Sequence, residues 1–135
     1  MRESRPRNIS ILLRSGALAM VVPIMVKFLP LPRVISMLEP VDCRRDSPYK
    51  ADELARIADS AARRGPRLGV GQCLVRSLVM YNLLRRFAYD AVLLIGGRLS
   101  EGRLDCHCWI EIDGKSLYEC HNPREIFTVF YTFQV

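Results

Sequence analysis

The sequence contains no internal repeats and no low-complexity segment. Half of its 135 residues are hydrophobic and a quarter are charged, a globular composition that argues against long disorder. A chain of this length is expected to fold as one domain on one hydrophobic core. We therefore treat residues 1–135 as a single domain.

Regular cysteine spacing is also missing. The chain has an odd number of cysteines, without the pattern of a secreted disulfide scaffold, so a reducing cytoplasm is the expected compartment. The five are Cys43, Cys73, Cys106, Cys108 and Cys120.

No known nucleic-acid-binding motif accompanies the net charge of +6, and the basic residues are not interleaved with aromatic ones. Nucleic acid is therefore not an expected partner. Two interpretations of the net positive charge remain. It could form a solvated basic face, or it could attract an acidic peptide or protein. The basic residues cluster near the start (Arg2, Arg5, Arg7, Arg14) and before Cys73 (Arg56, Arg63, Arg64, Arg67).

The apolar stretch Ser15–Val26 lies between Arg14 and Lys27 and is interrupted by Pro23. It is shorter than the roughly 20 residues that a membrane span needs. No small-x-small cleavage site follows it, as a signal peptide would require. We therefore expect no membrane span and a buried or partner-facing helix.

Apolar residues recur at helical spacing through the first two thirds of the chain. Proline and glycine break the pattern at Pro30-Leu31-Pro32, at Pro40 and at Gly65-Pro66. Four helices are predicted: residues 9–29 with a kink near Pro23, a short helix through Val34 and Leu38, a helix entered at Ser47-Pro48 and ending at Arg64, and a helix from Cys73 to about Arg86.

After that helix the pattern changes to that of strands. Predicted strands are Ala91–Ile95, bounded by Gly96-Gly97, then Cys106–Ile112, Lys115–Glu119 and Ile126–Phe133. Asp113-Gly114 is a hairpin signal between the second and third. Helices first and a mostly antiparallel sheet afterwards predict an α+β fold.

Cys73 is the residue that first indicates chemistry. It follows Gly71-Gln72 and opens a predicted helix, where the positive end of the peptide dipole favours thiolate over thiol. A thiolate is the nucleophile of cysteine-dependent acyl transfer. The Cys73 N–H could stabilise an oxyanion, with Gln72 as a candidate second donor. The alternative is a buried core thiol, which is common for free cysteine.

His107 is the candidate general base, on the predicted strand that follows the nucleophile helix. On that strand His107 and Trp109 share one face, while Cys106 and Cys108 share the other. An imidazole delivered from a neighbouring strand can take the thiol proton and later return it to a leaving group. A purely structural histidine is the alternative.

A third residue would orient the imidazole, and the hairpin register decides which one. With a two-residue turn at Asp113-Gly114, His107 pairs with Cys120 and Glu119 faces away. With a three-residue loop and a bulge, His107 pairs with Glu119, close enough for a carboxylate–imidazole bond. Asp113 and Asn122 are the alternative orienting residues.

A rival hypothesis places a zinc ion on Cys106, Cys108, Cys120 and His121. These side chains can bind zinc, but structural zinc sites usually separate paired ligands by two to four residues. Cys106 and Cys108 are also explained by their place on an apolar strand face. We therefore predict no metal.

Two segments together resemble a known family. Cys73-Leu74-Val75-Arg76-Ser77-Leu78, followed by Leu83-Leu84-Arg85-Arg86 and an apolar strand ending in glycine, resembles the nucleophile segment of the lasso-peptide maturation proteases. These leader-removing proteins are similar to the C-terminal domain of McjB and belong to the transglutaminase-like superfamily. His107-Cys108-Trp109-Ile110-Glu111-Ile112-Asp113-Gly114 resembles the family's histidine segment, roughly His-Ala-Trp-Val-Glu-x-Asp-Gly.

The resemblance covers about residues 50 to 130 and departs from the family at two positions. Cys108 stands where the family usually has alanine, and Glu119 stands where it usually has aspartate, twelve positions after the histidine. The resemblance implies a transglutaminase- or papain-like fold, a Cys73–His107–Glu119 triad and no cofactor. It also implies three partners: a precursor peptide, a small leader-recognition protein and an ATP-dependent macrolactam cyclase.

Within the single domain we expect an N-terminal helical part, residues 1–45, and a catalytic core, residues 46–135. The helix from Ile11 to Phe28 is apolar over more of its circumference than a small domain readily covers. We expect it to dock the leader-recognition protein, with Leu18 and Val22 as first candidates. The alternative is that the helix simply completes the core.

Overall fold

The computed structural model describes residues 5–40, 49–66, 69 and 71–134. Within them, four helices precede a four-stranded antiparallel sheet of order β3-β2-β1-β4, which confirms the α+β prediction. The expected boundary at residue 45, Cys43 and Ser47-Pro48 lie outside the described residues. The elements are α1 (Arg5–Phe28), α2 (Leu31–Leu38), α3 (Ala51–Arg64), α4 (Gln72–Arg86), β1 (Ala91–Ser100), β2 (Arg103–Ile112), β3 (Lys115–Ser116) and β4 (Thr128–Phe133), with a 3-10 turn (Pro123–Glu125) before β4.

Helix α4 is the centre of the domain, with the sheet packed on one side and α1, α2 and α3 around the rest. Its side chains from Ser77 to Leu84 are all buried. Asn82 donates to the carbonyl of Leu38, and Tyr81 donates to Glu39, so α2 is fixed to the C-terminal half of α4. The N-terminal end of α4, which begins with Gln72 and Cys73, is therefore held by a rigid, buried body.

Helix α1 is longer and more apolar than expected. The 20-residue stretch Ile9–Phe28 has a mean hydropathy of 2.0, and by length and composition it could cross a membrane. The expectation that its apolar stretch is too short for a span is therefore wrong. Only 28% of this stretch is buried, where α1 packs on α3 and α4 and covers Ile11, Ala19 and Val22.

The two residues chosen as first candidates for partner docking on α1 differ in exposure. Val22 is fully buried, and Leu18 is half-buried against the core cluster. Val22 is therefore a wrong candidate, because its side chain is covered by the core, whereas the selection of Leu18 stays a prediction. The exposed apolar residues of α1 are Ile9, Leu12, Leu13, Met20, Val21, Ile24 and Phe28.

Strand β1 runs through Gly96-Gly97 instead of ending before them, and it forms a long hairpin with β2 across a turn at Glu101-Gly102. Glycine is needed at this point because the chains approach each other closely. A Cβ on Gly96 would lie 2.8 Å from the carbonyl oxygen of Thr128 and 3.0 Å from the ring of Trp109. Glycine here lets β4 and Trp109 close on the strand pair.

The β2–β3 hairpin has a two-residue turn at Asp113-Gly114. Both residues have positive φ, 53° and 77°, and Ile112 pairs with Lys115, as in a type I′ turn. The predicted third strand, Lys115–Glu119, is shorter than expected and ends at Ser116. Most of β2 therefore lacks a strand neighbour on its outer side.

Candidate active site

Cys73 is the second residue of α4 and is half-buried at the helix N-terminus. Gly71 precedes the helix without a side-chain cap, and its carbonyl accepts from the N–H groups of Leu74 and Val75, both at 3.2 Å. The N–H groups of Gln72 and Cys73 come before these donors and have no partner within the helix itself. A thiol and a free main-chain donor thus lie together at the positive end of the helix dipole.

His107 lies between Cys73 and Glu119. Its Nε2 is 2.8 Å from Oε1 of Glu119, and its ring also forms a hydrogen bond with the Cys73 thiol. Because Glu119 engages Nε2, Nδ1 is the ring nitrogen left for the sulfur. The structure therefore brings Cys73, His107 and Glu119 into one chain of contacts.

The electrostatics of this chain favour charge separation. Hydrogen bonding to His107 lowers the pKa of Cys73 most, with help from the main chain of Cys108 and the charge of Arg76, against the opposing effect of burial. Hydrogen bonding to Cys73 and then to Glu119 raises the pKa of His107 to about 9. These opposite shifts favour a thiolate–imidazolium pair, the form in which a cysteine acts as a nucleophile.

Glu119 reaches His107 by a route that the sequence did not reveal. The turn has two residues, the register in which Glu119 was expected to face away, and that expectation is wrong. The N–H of Leu117 still donates to the carbonyl of Ile110, at 2.9 Å, but Tyr118 then adopts a φ of 61°. This left-handed residue takes the chain out of the strand path and directs the Glu119 carboxylate to the imidazole.

Arg76 is a member of the site to which sequence reasoning gave no role. Its Nη2 donates to Oε1 of Glu119 at 3.1 Å, the same oxygen that contacts His107. Arg76 is itself held by buried Asp59 of α3, whose carboxylate is 3.9 Å from Nη1 and also contacts Arg63 at 2.9 Å. Arg76 was predictable from helix spacing, since a residue three positions after Cys73 shares its face of α4.

Sequence reasoning also gave no role to Ser77, which lies one turn after Cys73 and was predictable from the same helix spacing. Its hydroxyl donates to the carbonyl oxygen of Cys108 at 3.0 Å, in a buried setting. The main chain of the same residue, Cys108, bonds to the Cys73 thiol and lowers its pKa, which identifies its N–H as the donor. Helix α4 is therefore docked on the outer edge of β2, where β3 is absent.

Aromatic rings pack against the imidazole on the face of β2 that carries His107. The ring of His107 stacks near those of Phe127, at a centroid distance of 5.2 Å, and Trp109, at 5.8 Å. Trp109 donates to buried Glu111, which also accepts two hydrogen bonds from Arg124 at 2.8 and 3.0 Å. This packing restricts the ring orientation of His107. A cleft of about 640 Å³ opens beside it, lined in part by Arg63, Arg76, Glu119 and Phe127.

The alternative orienting residues lie elsewhere. Asp113 is in the β-turn, and Asn122 caps the 3-10 turn by accepting from the N–H of Arg124 at 3.2 Å. Of the proposed zinc ligands, Cys108 is buried in the core, whereas Cys106 and Cys120 are exposed. Among the described residues no group of three or more His, Cys, Asp or Glu side chains is arranged to hold a metal ion.

Cys73 thus lies at a helix N-terminus, and His107 lies on the second strand of an antiparallel sheet. The sequence model of the transglutaminase-like superfamily matches residues 18–132. The chain belongs to this superfamily. No curated protein and no solved structure matches it. The transglutaminase-like superfamily includes cysteine proteases and acyltransferases, and the matched range spans Cys73, His107 and Glu119.

Proposed function

We propose that this transglutaminase-like protein is a cysteine protease that removes the leader peptide from a lasso-peptide precursor in the cytoplasm. The observation that carries the proposal is the contact chain from Cys73 through His107 to Glu119. It has the 2.8 Å imidazole–carboxylate contact, the lowered thiol pKa and the raised imidazole pKa that thiolate catalysis requires.

The chemistry follows from these positions. The Cys73 thiolate attacks the carbonyl carbon at the leader–core junction, and the electron pair of the C=O moves to the oxygen. The Cys73 N–H, with Gln72 as a second donor, stabilises that oxyanion. The His107 imidazolium gives its proton to the departing amine as the C–N bond breaks, leaving a thioester. His107 then takes a proton from water, which attacks the thioester and releases Cys73.

Glu119 and Arg76 hold the imidazole for these transfers. Glu119 accepts from Nε2 and so directs Nδ1 toward the sulfur, while Arg76 donates to the same carboxylate oxygen at 3.1 Å and holds it in place. Glu119 is one methylene longer than the family's usual aspartate. Its carboxylate is still placed at His107, because the left-handed residue Tyr118 sets the path of the chain.

The substrate class comes from the resemblance of both motif segments to the lasso-peptide maturation proteases. The partners proposed with it are a precursor peptide, a small leader-recognition protein and an ATP-dependent macrolactam cyclase. Binding energy from a leader held by a separate protein would position the scissile bond, so cleavage by this chain alone is expected to be slow. The exposed apolar residues of α1 are the proposed docking surface for that protein.

The test is cleavage of a synthetic precursor, with its leader-recognition protein present, by wild type, Cys73→Ala and Cys120→Ala. Loss of a cysteine nucleophile should lower the rate by at least about 10³-fold. Cys120 is an exposed thiol that lines the same cleft without joining the contact chain, so its replacement controls for loss of a thiol there. Leader release by Cys73→Ala at the wild-type rate would disprove the assignment.

Acyl transfer to an amine, the other activity of the superfamily, is distinguished in the same reaction. Added primary amines such as cadaverine would appear as a covalent amide on the leader fragment if the thioester passes to amines in preference to water. The proposed hydrolase yields a free leader carboxylate, identified by its mass, at every amine concentration tested.

A further inference from the structure

The outer edge of β2 carries main-chain groups that no strand pairs. Along its inner edge β2 pairs with β1 from Arg103 to Ile112, whereas on the outer edge only Glu111 and Ile112 pair with β3. The carbonyls of Cys108 and Ile110 face outward, because they accept from Ser77 and from the N–H of Leu117. The even-numbered residues of this strand therefore direct their N–H and C=O groups away from β1.

The same alternation places the main-chain groups of Leu104 and Cys106 on this outer edge. The β1–β2 ladder is regular from end to end, so no bulge reverses the direction between residues 103 and 112. Both residues are exposed, and among the described residues no hydrogen bond to their N–H or C=O groups is found. Two donors and two acceptors thus face solvent in strand geometry.

This open edge leads directly to the nucleophile. Cys106 is two residues before Cys108, whose N–H meets the Cys73 thiol. At about 3.3 Å per residue, the open groups of Cys106 lie about 7 Å along the strand from those that contact the sulfur. An extended chain paired with Leu104 and Cys106 would therefore bring its next peptide bond to Cys73.

An apolar surface lies beside the open edge, on the sheet face that also carries the side chain of Cys106. Leu99 pairs with Leu104 across the hairpin, and Phe130 covers Gly97, where a Cβ would lie 2.6 Å from the Phe130 ring and 3.2 Å from Leu104. Leu99, Leu104 and Phe130 are 80%, 56% and 51% exposed. Such large apolar side chains grouped together indicate a binding surface.

We propose that the peptide substrate adds as an extended strand to β2 at Leu104 and Cys106, and that it places an apolar side chain on Leu99, Leu104 and Phe130. We call these residues the β2-edge site. The occupant is a peptide because only a main chain offers N–H and C=O groups at strand spacing. The inference rests on the proposed function, since it supplies the specificity of the same Cys73 site.

A second copy of this chain fits the edge less well. Only two outward-facing residues are open, and charged, exposed Arg103 and Asp105 lie on either side of Leu104. Short edges and charged side chains are features that limit edge-to-edge association of folded domains. A substrate needs few hydrogen bonds at this position, because a bound leader supplies the remaining affinity.

The first experiment measures inactivation of Cys73 by N-acetyl-Ala-Leu-Gly chloromethyl ketone, in which the sulfur displaces chloride and forms a thioether. Cys106→Pro removes the outward N–H without touching the ladder to β1, and Cys106→Ala, which keeps that N–H, is the reference. Loss of one hydrogen bond should slow inactivation of Cys106→Pro by about three- to tenfold. The rate with iodoacetamide, which makes no main-chain contacts, should be the same in both variants.

The second experiment tests the apolar surface with the same reagent and its Ala-Asp-Gly counterpart. Leu99→Asp should lower the preference for the leucine reagent by about tenfold, because a charge replaces apolar area. Met37→Asp is the matched control, since Met37 is also an exposed apolar residue but lies on α2, at the other end of α4. Its preference should equal that of wild type.

Three results would overturn the inference. One is an equal rate of the peptidyl reagent with Cys106→Pro and Cys106→Ala. Another is an unchanged leucine preference in Leu99→Asp. The third is a wild-type dimer in sedimentation velocity that Cys106→Pro dissociates, which would assign the edge to self-association. A Cys73 that is inert to both reagents in every variant would instead refute the proposed function.

Discussion

The Ser77 hydroxyl donates a 3.0 Å hydrogen bond to the carbonyl oxygen of Cys108. Ser77 lies one turn after Cys73 in α4, and the N–H of Cys108 meets the Cys73 thiol. The main chain of one β2 residue therefore contacts two successive turns of the nucleophile helix. The distance between Cys73 and His107, the neighbour of Cys108, depends on this docking.

Ser77→Ala should reduce both stability and thiol reactivity. It leaves the buried carbonyl of Cys108 without its donor, at a cost of about 1–3 kcal/mol in the free energy of unfolding. The N-terminal end of α4 should then move relative to β2, so iodoacetamide should alkylate Cys73 more slowly at pH 7.

The matched control for Ser77 is Ser36→Ala. Ser36 makes the same type of bond, 3.0 Å to the carbonyl of Pro32, but on the exposed surface of α2. Its loss should change stability by less than about 0.5 kcal/mol and leave alkylation unchanged. Unaltered alkylation in folded Ser77→Ala would show that Ser77 is structural and does not position Cys73.

Glu119→Gln should shift the alkaline limb of the pH profile. The ordinary pKa of histidine is 6.5, and bonding to Cys73 and to the Glu119 carboxylate raises that of His107 to about 9. Removal of the carboxylate therefore lowers the pKa of His107. The proton that the leaving amine needs is then lost at a lower pH, so activity should begin to fall below about pH 9.

The measurement is kcat against pH for wild type, Glu119→Gln and Glu119→Asp. The aspartate variant keeps the charge but is one methylene shorter, so it should retain an alkaline limb close to that of wild type if it still reaches the imidazole. Since imidazolium stabilises the thiolate, the alkylation pKa of Cys73 should rise in Glu119→Gln. An unshifted alkaline limb in Glu119→Gln would show that this carboxylate does not control His107.

Gly96 and Gly16 should respond in opposite directions to alanine. A Cβ at Gly96 would lie 2.8 Å from the main-chain oxygen of Thr128, which has little freedom to move, so Gly96→Ala should cost about 1–3 kcal/mol. A Cβ at Gly16, within α1, meets nothing within 4 Å, so Gly16→Ala should stabilise the protein by about 0.5–1 kcal/mol. Urea unfolding of the two variants measures both effects, and a tolerated Gly96→Ala would refute the close approach.

The parts of the fold that the sequence predicted are those set by local pattern. Helix α4 was predicted because apolar residues recur at helical spacing after Cys73, and α2 was predicted from its flanking prolines. Strand β1 was predicted too short because Gly96-Gly97 indicates a boundary in local terms. Gly96 is required by tertiary contacts with Trp109 and Thr128, which no local pattern contains.

The contact between His107 and Glu119 was predictable only as one of two registers. The hairpin pattern offered a two-residue turn or a bulge, and the structure has the two-residue turn together with the contact. The reconciling feature is the positive φ of Tyr118, a conformation that the sequence gives no reason to expect for a bulky residue. Val22 of α1 was also wrongly expected to be exposed, because the pattern of an apolar helix does not reveal which of its apolar residues are buried.

The last prediction concerns that exposed face. Leu13 is 70% exposed and Met20 is 61% exposed, so aspartate at either position should leave the fold and the alkylation of Cys73 unchanged. If α1 docks the leader-recognition protein, both variants should raise the apparent KM for precursor when that protein is present, and not when it is absent. Met37→Asp, an exposed change on α2, should do neither. Val22→Ala should instead cost about 2 kcal/mol in unfolding, because its side chain is fully buried. If Leu13→Asp and Met20→Asp keep the wild-type response to the partner, the docking surface lies elsewhere. If the wild type binds lipid vesicles and these variants do not, the exposed face binds lipid.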